Sequence, residues 1–161
     1  MRYLTLLIAF LFSFPALAQG VPTADTVAQN GDNSRVFIRA FADHTAAQPG
    51  QTLRLAIEQL IVPGWHTYWI NPGDSGEPMK VKWDLPQGYK VSDLLWPTPD
   101  HVPYGPLMNF GYSDHAVMLA DLTVPATAKI GNTVPVRGKV SVLVCDEICI
   151  PETHDLSLIH I

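Results

Sequence analysis

Fourteen prolines are scattered along a chain of 161 residues, and this spacing constrains the fold more than any other feature. Each proline lacks a backbone donor and clashes with the preceding helical turn, so long helices have little room to form. Between the prolines run short stretches of β-branched, aromatic and aliphatic residues, each closed by Gly, Pro, Asn or Asp, which is the punctuation of strands. The pattern predicts strands over residues 36–41, 52–61, 66–70, 79–83, 89–96, 116–124, 133–144 and 153–158. Alternation supports several of them. Leu53, Leu55, Ile57 and Gln59 share one face of their segment, and Val136, Gly138, Val140, Val142 and Val144 share one face of theirs. Many short strands with turns between them read as an all-β, immunoglobulin-like antiparallel β-sandwich, with an open barrel as the alternative.

The N-terminus constrains the compartment. Arg2 precedes an apolar run from Leu4 to Leu11 that continues through Phe12 and Phe14 and ends at Ala16-Leu17-Ala18. A charged start, a short apolar stretch and a small-x-small site make residues 1–18 a secretory signal peptide, too short for the roughly 20 apolar residues of a membrane span. Cleavage is expected after Ala18, and an uncleaved anchor is the alternative. Residues 19–34 are small and polar and read as a flexible leader. Residues 35–161 fit one domain, large enough for a hydrophobic core. The formal net charge is −5 and no cluster of Lys or Arg occurs, which argues against a nucleic-acid partner, because phosphate binding needs a concentrated basic face.

Two segments fit no strand pattern: residues 71–78, rich in Pro, Gly, Asp and Ser, and residues 97–112, which carry Tyr104, Phe110 and Tyr112 among prolines and glycines. Long loops in compact domains are often functional, although aromatics there can equally plug the end of a sandwich. His66, His101 and His115 read as exposed or hydrogen-bonded loop histidines. Ser75 and Ser113 each lie near an acid without a recognisable base, and no phosphate-binding glycine loop is present.

The chain has two cysteines, Cys145 and Cys149, separated by Asp146-Glu147-Ile148. In an exported protein two cysteines normally form one disulfide. A three-residue gap is turn-sized and can bring the two Cα atoms within bonding reach. Closing so short a loop stabilises a fold by only about 2 kcal/mol, against nearly 5 for a loop of about 100 residues. The bond is a poor staple, which favours redox use: a thiolate attacks a partner's disulfide, a mixed disulfide forms, and the second cysteine resolves it. Asp146 and Glu147 between the sulfurs disfavour a thiolate. A metal reading, with His154 or His160 adding a nitrogen ligand, lacks a second pair of cysteines. No cofactor and no resident metal are expected.

The segment Gly64-Trp65-His66-Thr67-Tyr68-Trp69-Ile70-Asn71-Pro72-Gly73-Asp74-Ser75-Gly76, together with Leu95-Trp96-Pro97, Phe110-Gly111-Tyr112 and the stretch from Cys145 to Pro151, resembles one family. From about Val36 to about Asp155 the chain is similar to the periplasmic N-terminal domain of the DsbD and ScsB thiol:disulfide interchange proteins. The resemblance implies an immunoglobulin-like sandwich with a reversible disulfide, in the periplasm of a Gram-negative bacterium. It implies partners too: a thioredoxin-like domain that supplies electrons through a membrane domain, and periplasmic thiol-disulfide proteins that receive them. It makes Cys145 and Cys149 the catalytic pair, with Cys149 attacking the partner. It makes the loop ending in Phe110 and Tyr112 a cap over the sulfurs, and it puts Tyr68 and Trp69 in the same pocket. The three-residue gap is closer to the ScsB-like branch. Family members continue into a membrane-spanning domain and a thioredoxin-like one, so the chain is expected to be a fragment of an inner-membrane-anchored protein, and its last residues, 158–161, do not look like the family. A non-catalytic binding sandwich with a structural disulfide and a copper-handling module are the alternative functions.

Overall fold

Alternating side chains decide how the strands of this computed structural model stack. Residues 26–27 and 33–159 are described; the expected signal peptide and most of the expected leader lie outside them. In strand β3 (Thr52–Ile61), Leu53, Leu55, Ile57, Gln59 and Ile61 are buried, while Thr52 and Arg54 face water. Strand β9 (His115–Thr123) alternates likewise and buries Ala116, Met118, Ala120 and Leu122. β2 (Val36–Ala42) buries Val36, Ile38 and Ala40. With β1 (Thr26–Val27) and β6 (Lys90–Val91), these strands form one antiparallel sheet in the order β1-β2-β3-β9-β6.

The second sheet is built on β10 (Pro135–Cys145), whose even-numbered positions Val136, Val140, Val142 and Val144 enter the core while Arg137, Lys139 and Ser141 face outward. Along its whole length β10 pairs with β11 (Cys149–Ile159), from Pro135 opposite Ile159 to Cys145 opposite Cys149. Its other edge is shared. β5 (Lys80–Asp84) pairs with residues 137–141, and β4 (His66–Gly73) meets it only at Cys145 opposite His66. β8 (Leu107–Ser113) and β7 (Asp100–Tyr104) complete the order β11-β10-β4-β8-β7. The buried faces of the two sheets share one core, in which each fully buried Leu, Ile, Val or Met side chain is worth about 1.5–3 kcal/mol of transfer free energy. The architecture is therefore an all-β, immunoglobulin-like antiparallel sandwich, and the described residues contain no helix.

Four segments differ from expectation, the first being residues 71–73, which fit no strand pattern in the sequence but continue β4 to Gly73 opposite Asn109. Residues 97–112 hold a strand hairpin, because Pro103 occupies the edge strand β7, where a missing backbone donor disrupts no inner ladder. The strand expected over 89–96 reduces to β6 and a single bridge between Leu95 and Leu119. Pairing stops at Ser92, whose hydroxyl accepts the Asp121 N–H at 2.9 Å, while its own N–H donates to the Asp121 carbonyl. Within the expected leader, Thr26–Val27 pairs with Arg39 and Ala40 as a two-residue strand.

Candidate functional site: a disulfide at the tip of a strand pair

β10 ends at Cys145 and β11 begins at Cys149, so the sulfurs sit where the two strands turn. Residues 146–148 make that turn, with the Asp146 N–H donating to the Ile148 carbonyl at 3.0 Å. The two cysteines are opposite one another in register and are joined as a disulfide, with their Cα atoms 4.1 Å apart. Cys145 continues the outer, odd-numbered row of β10, whose earlier members Arg137, Lys139 and Ser141 are exposed, yet it is only 1% exposed itself. Cys149 is exposed.

The difference comes from what covers that end of the sheet. A cleft of about 240 Å³ adjoins the disulfide, lined by Cys145, Cys149 and the turn residues Asp146 and Glu147, by His66 and Tyr68 of β4, by Ser75, and by Tyr104, Leu107 and Asn109 of the β7–β8 hairpin. His66 and Tyr68 are two residues apart on a strand and so face the same way. Their rings meet edge to face at 5.2 Å, and His66 Nε2 lies 3.2 Å from the Tyr68 hydroxyl. That hydroxyl is 4.0 Å from Cys149 Sγ. At the hairpin tip, the Tyr104 hydroxyl donates to the Glu147 carbonyl at 3.2 Å and ties hairpin and disulfide turn together.

A second set of bonds fastens residues 74–76 to β8. Asp74 accepts the Met108 N–H at 2.8 Å and donates its own N–H to the Met108 carbonyl. The buried Asn109 side chain accepts both the Ser75 N–H and the Ser75 hydroxyl, at 2.9 and 3.0 Å. These bonds lay Gly76 on the Tyr68 ring, where a Cβ would fall 2.2 Å from Cε1. Burial lowers the His66 pKa below its ordinary value, against a smaller opposing pull from Asp146, so the imidazole is neutral near pH 7. Burial, and secondarily Tyr104, raises that of Tyr68.

The remaining residues singled out in the sequence lie elsewhere. Trp69 alternates away from Tyr68 and packs against the core. Tyr112 is buried, donates its hydroxyl to the Pro97 carbonyl at 2.8 Å, and has its pKa pushed up by burial and then by Asp100. Phe110 stacks edge to face on His101 at 5.4 Å. His115 bonds Glu58, whereas His66, expected as a loop histidine, is a buried strand residue facing the cleft. Alternation within the predicted strand 66–70 carried the signal that His66 and Tyr68 share a face; Ser75, Tyr104, Leu107 and Asn109 had no such signal. His154 is five residues from Cys149, about 16 Å at the rise of a strand, and its partner is Glu152 at 3.2 Å. Among the described residues, no group of three or more His, Cys, Asp or Glu is placed to hold a metal ion.

The fold and the site define a class, an antiparallel β-sandwich carrying a disulfide across the end of one strand pair, rather than one protein. Residues 38–160 match the family described as thiol:disulfide interchange protein DsbD, N-terminal, and the chain belongs to that family. Among solved structures it is similar to the N-terminal periplasmic domain of ScsB from Proteus mirabilis, at 25% identity and a TM-score of 0.66, over 84% of this chain and 51% of that one. This chain thus spans about half the length of that domain. The GAE domain of yeast GGA1 (12% identity, TM-score 0.44, 83% of this chain and 97% of that one) and the N-terminal domain of Neisseria meningitidis DsbD in the reduced form (14%, 0.43, 76% and 83%) resemble it more loosely and add nothing to the assignment. No curated protein matches the sequence.

Proposed function

We propose that this domain is a periplasmic disulfide reductase module that relays electrons from a thioredoxin-like domain to envelope partner proteins through reversible opening of the Cys145–Cys149 bond. The observation that carries the reading is the unequal exposure of the two cysteine residues. Exchange needs one sulfur within reach of a partner and one held back to resolve the mixed disulfide. Cys149 is the attacking thiol and Cys145 the resolving one. The family, and the periplasmic location of the similar ScsB domain, support the compartment and the chemistry. Within the longer protein, a membrane domain and a thioredoxin-like domain would supply the electrons.

The cap belongs in this reading to the β7–β8 hairpin as an element, acting through Tyr104 and Leu107 at its tip while Phe110 and Tyr112 anchor its base. Tyr68 lines the pocket, and Trp69 supports the strand from the core side. No cofactor is needed in this reading, because the two electrons of each turnover are carried by Cys145 and Cys149 themselves, as two thiols when the bond between them is open.

Equilibration with glutathione or dithiothreitol buffers tests the relay. A redox-active bond has a reduction potential above about −300 mV, and a structural one lies below it. A potential below that limit would leave the non-catalytic binding sandwich as the better reading. A Cys145→Ser chain should trap a mixed disulfide with a thioredoxin-like partner through Cys149, and a Cys149→Ser chain should trap none.

A further inference from the structure

Cys149 needs a route for its proton. A thiol of ordinary pKa, about 8.5, is only a few per cent ionised at pH 7, and the sequence places Asp146 and Glu147 beside it, with no Lys or Arg among the residues lining the cleft. The neighbouring groups that can accept a proton form a chain. From Cys149 Sγ the Tyr68 hydroxyl is 4.0 Å away, and from that hydroxyl His66 Nε2 is 3.2 Å away. Both side chains are buried, 3% and 8% exposed, so bulk water competes poorly for these contacts.

Building on the relay reading above, we infer that His66, acting through the Tyr68 hydroxyl, takes the proton of the Cys149 thiol as that sulfur attacks a partner's disulfide. With its own proton on Nδ1, His66 accepts the Tyr68 O–H at Nε2, which leaves the tyrosine oxygen free to accept from the thiol. In the step, the thiol proton passes to the Tyr68 oxygen while the Tyr68 proton passes to His66. Cys149 Sγ bonds to one partner sulfur, and the other partner sulfur leaves as thiolate with the electron pair of the broken bond. Tyrosine ends the step neutral, which its raised pKa favours, since a phenolate never forms. The imidazolium that appears is offset by Asp146.

The polar groups that line the cleft with His66 come from each element around it. The turn between β10 and β11 contributes Asp146 and Glu147, the hairpin contributes Tyr104 and the neutral Asn109, β4 contributes Tyr68, the 74–76 segment contributes Ser75, and the sulfurs complete the wall. The carboxylates oppose a thiolate and support an imidazolium, which is the charge pattern that a base relay requires. Tyr68, whose hydroxyl is 4.0 Å from the reacting sulfur, is the catalytic group; His66 is a positioning and proton-accepting residue behind it.

The test is the rate at which the reduced full-length chain attacks a small aromatic disulfide between pH 5 and pH 10, for the native chain, Tyr68→Phe and His66→Gln. Full ionisation can raise the rate at pH 7 by at most about thirtyfold over an unaided thiol of pKa 8.5. Each variant should therefore be about tenfold slower at pH 7 and should converge on the native rate above pH 9, where hydroxide removes the proton unaided. A deficit that persists undiminished to pH 10, or native rates at pH 7, would overturn the relay. Tyr68→Phe removes a single oxygen and carries the test alone if His66→Gln fails to fold. A Cys149→Ser chain run in parallel separates the two levels: if it still attacks the disulfide, the choice of Cys149 as nucleophile is what fails.

Discussion

A hydroxyl poised near a sulfur is useful only while the ring that carries it stays put, and the ring of Tyr68 is held by a residue with no side chain. Gly76 has φ +92°, and a Cβ there would lie 2.2 Å from Tyr68 Cε1. Alanine at this position meets two penalties, the left-handed backbone and the collision with a buried aromatic. Gly105, at the hairpin tip, also has a positive φ, +56°, but a Cβ there meets nothing within 4 Å. The pair isolates the contact. Gly105→Ala should cost about 1 kcal/mol, the backbone penalty alone, and Gly76→Ala about 2–4 kcal/mol, the same penalty plus overpacking. Urea unfolding of the oxidised chain reads both. Equal losses would mean that the Tyr68 ring moves aside freely and is not braced by the loop.

Tyr104 and Leu107, at the tip of the β7–β8 hairpin, line the cleft beside the disulfide, and in the reading proposed above the hairpin separates Cys145 from solvent. Tyr104 at the tip is hydrogen-bonded to Glu147 in the disulfide turn, and a bond of this exposed kind contributes about 0.5–1.5 kcal/mol. Removing it with Tyr104→Phe should raise the population of open hairpin, and with it the rate at which dithiothreitol reduces the disulfide, by about two- to tenfold. Phe110→Ala, which loses a stack on His101 away from the cleft, should leave that rate unchanged. If Phe110→Ala accelerates reduction as much as Tyr104→Phe, the body of the hairpin and not its tip is the shield.

The same hairpin marks the limit of what the sequence discloses about elements. β3, β9 and β10 are legible because burial alternates along them, in β10 as far as Val144, and β3 runs over the residues that alternation predicts. β7 and β8 are not, because Pro103, Gly105 and Pro106 punctuate them as they would a loop, and only pairing with a neighbour makes an edge strand of such a segment. The site divides along the same line. The cysteine pair is visible in its spacing, and His66 and Tyr68 fall on alternate residues of one predicted strand, although His66 by itself reads as a loop histidine. Ser75, Tyr104, Leu107 and Asn109 reach the cleft through tertiary contacts that no local pattern encodes.

At the scale of the whole molecule, two buried histidines couple the fold to pH. His66 lies beside the disulfide, and His154, 2% exposed, lies on the core face of β11. There Glu152 accepts the Arg35 N–H at 2.7 Å and the Ser34 hydroxyl, and so ties the start of the domain to its last strand. Burial lowers both histidine pKa values from the ordinary 6.5, in His154 against the opposing pull of Glu152 and Asp155. The unfolded chain takes up a proton at each histidine near pH 6.5, whereas the folded chain does so only at lower pH. In that interval the unfolded state binds more protons, so stability is fully present above about pH 6.5 and is lost as the pH falls through the folded values. Each histidine contributes a slope of up to about 1.4 kcal/mol per pH unit. The oxidised chain should therefore have a lower urea midpoint at pH 5.5 than at pH 7.5, and His66→Gln should remove about half of the difference, leaving the share that belongs to His154. Identical midpoints at the two pH values would mean that the folded chain protonates these imidazoles as readily as the unfolded one, and that the interior around His66 admits the charge that a proton-accepting role requires it to hold only transiently.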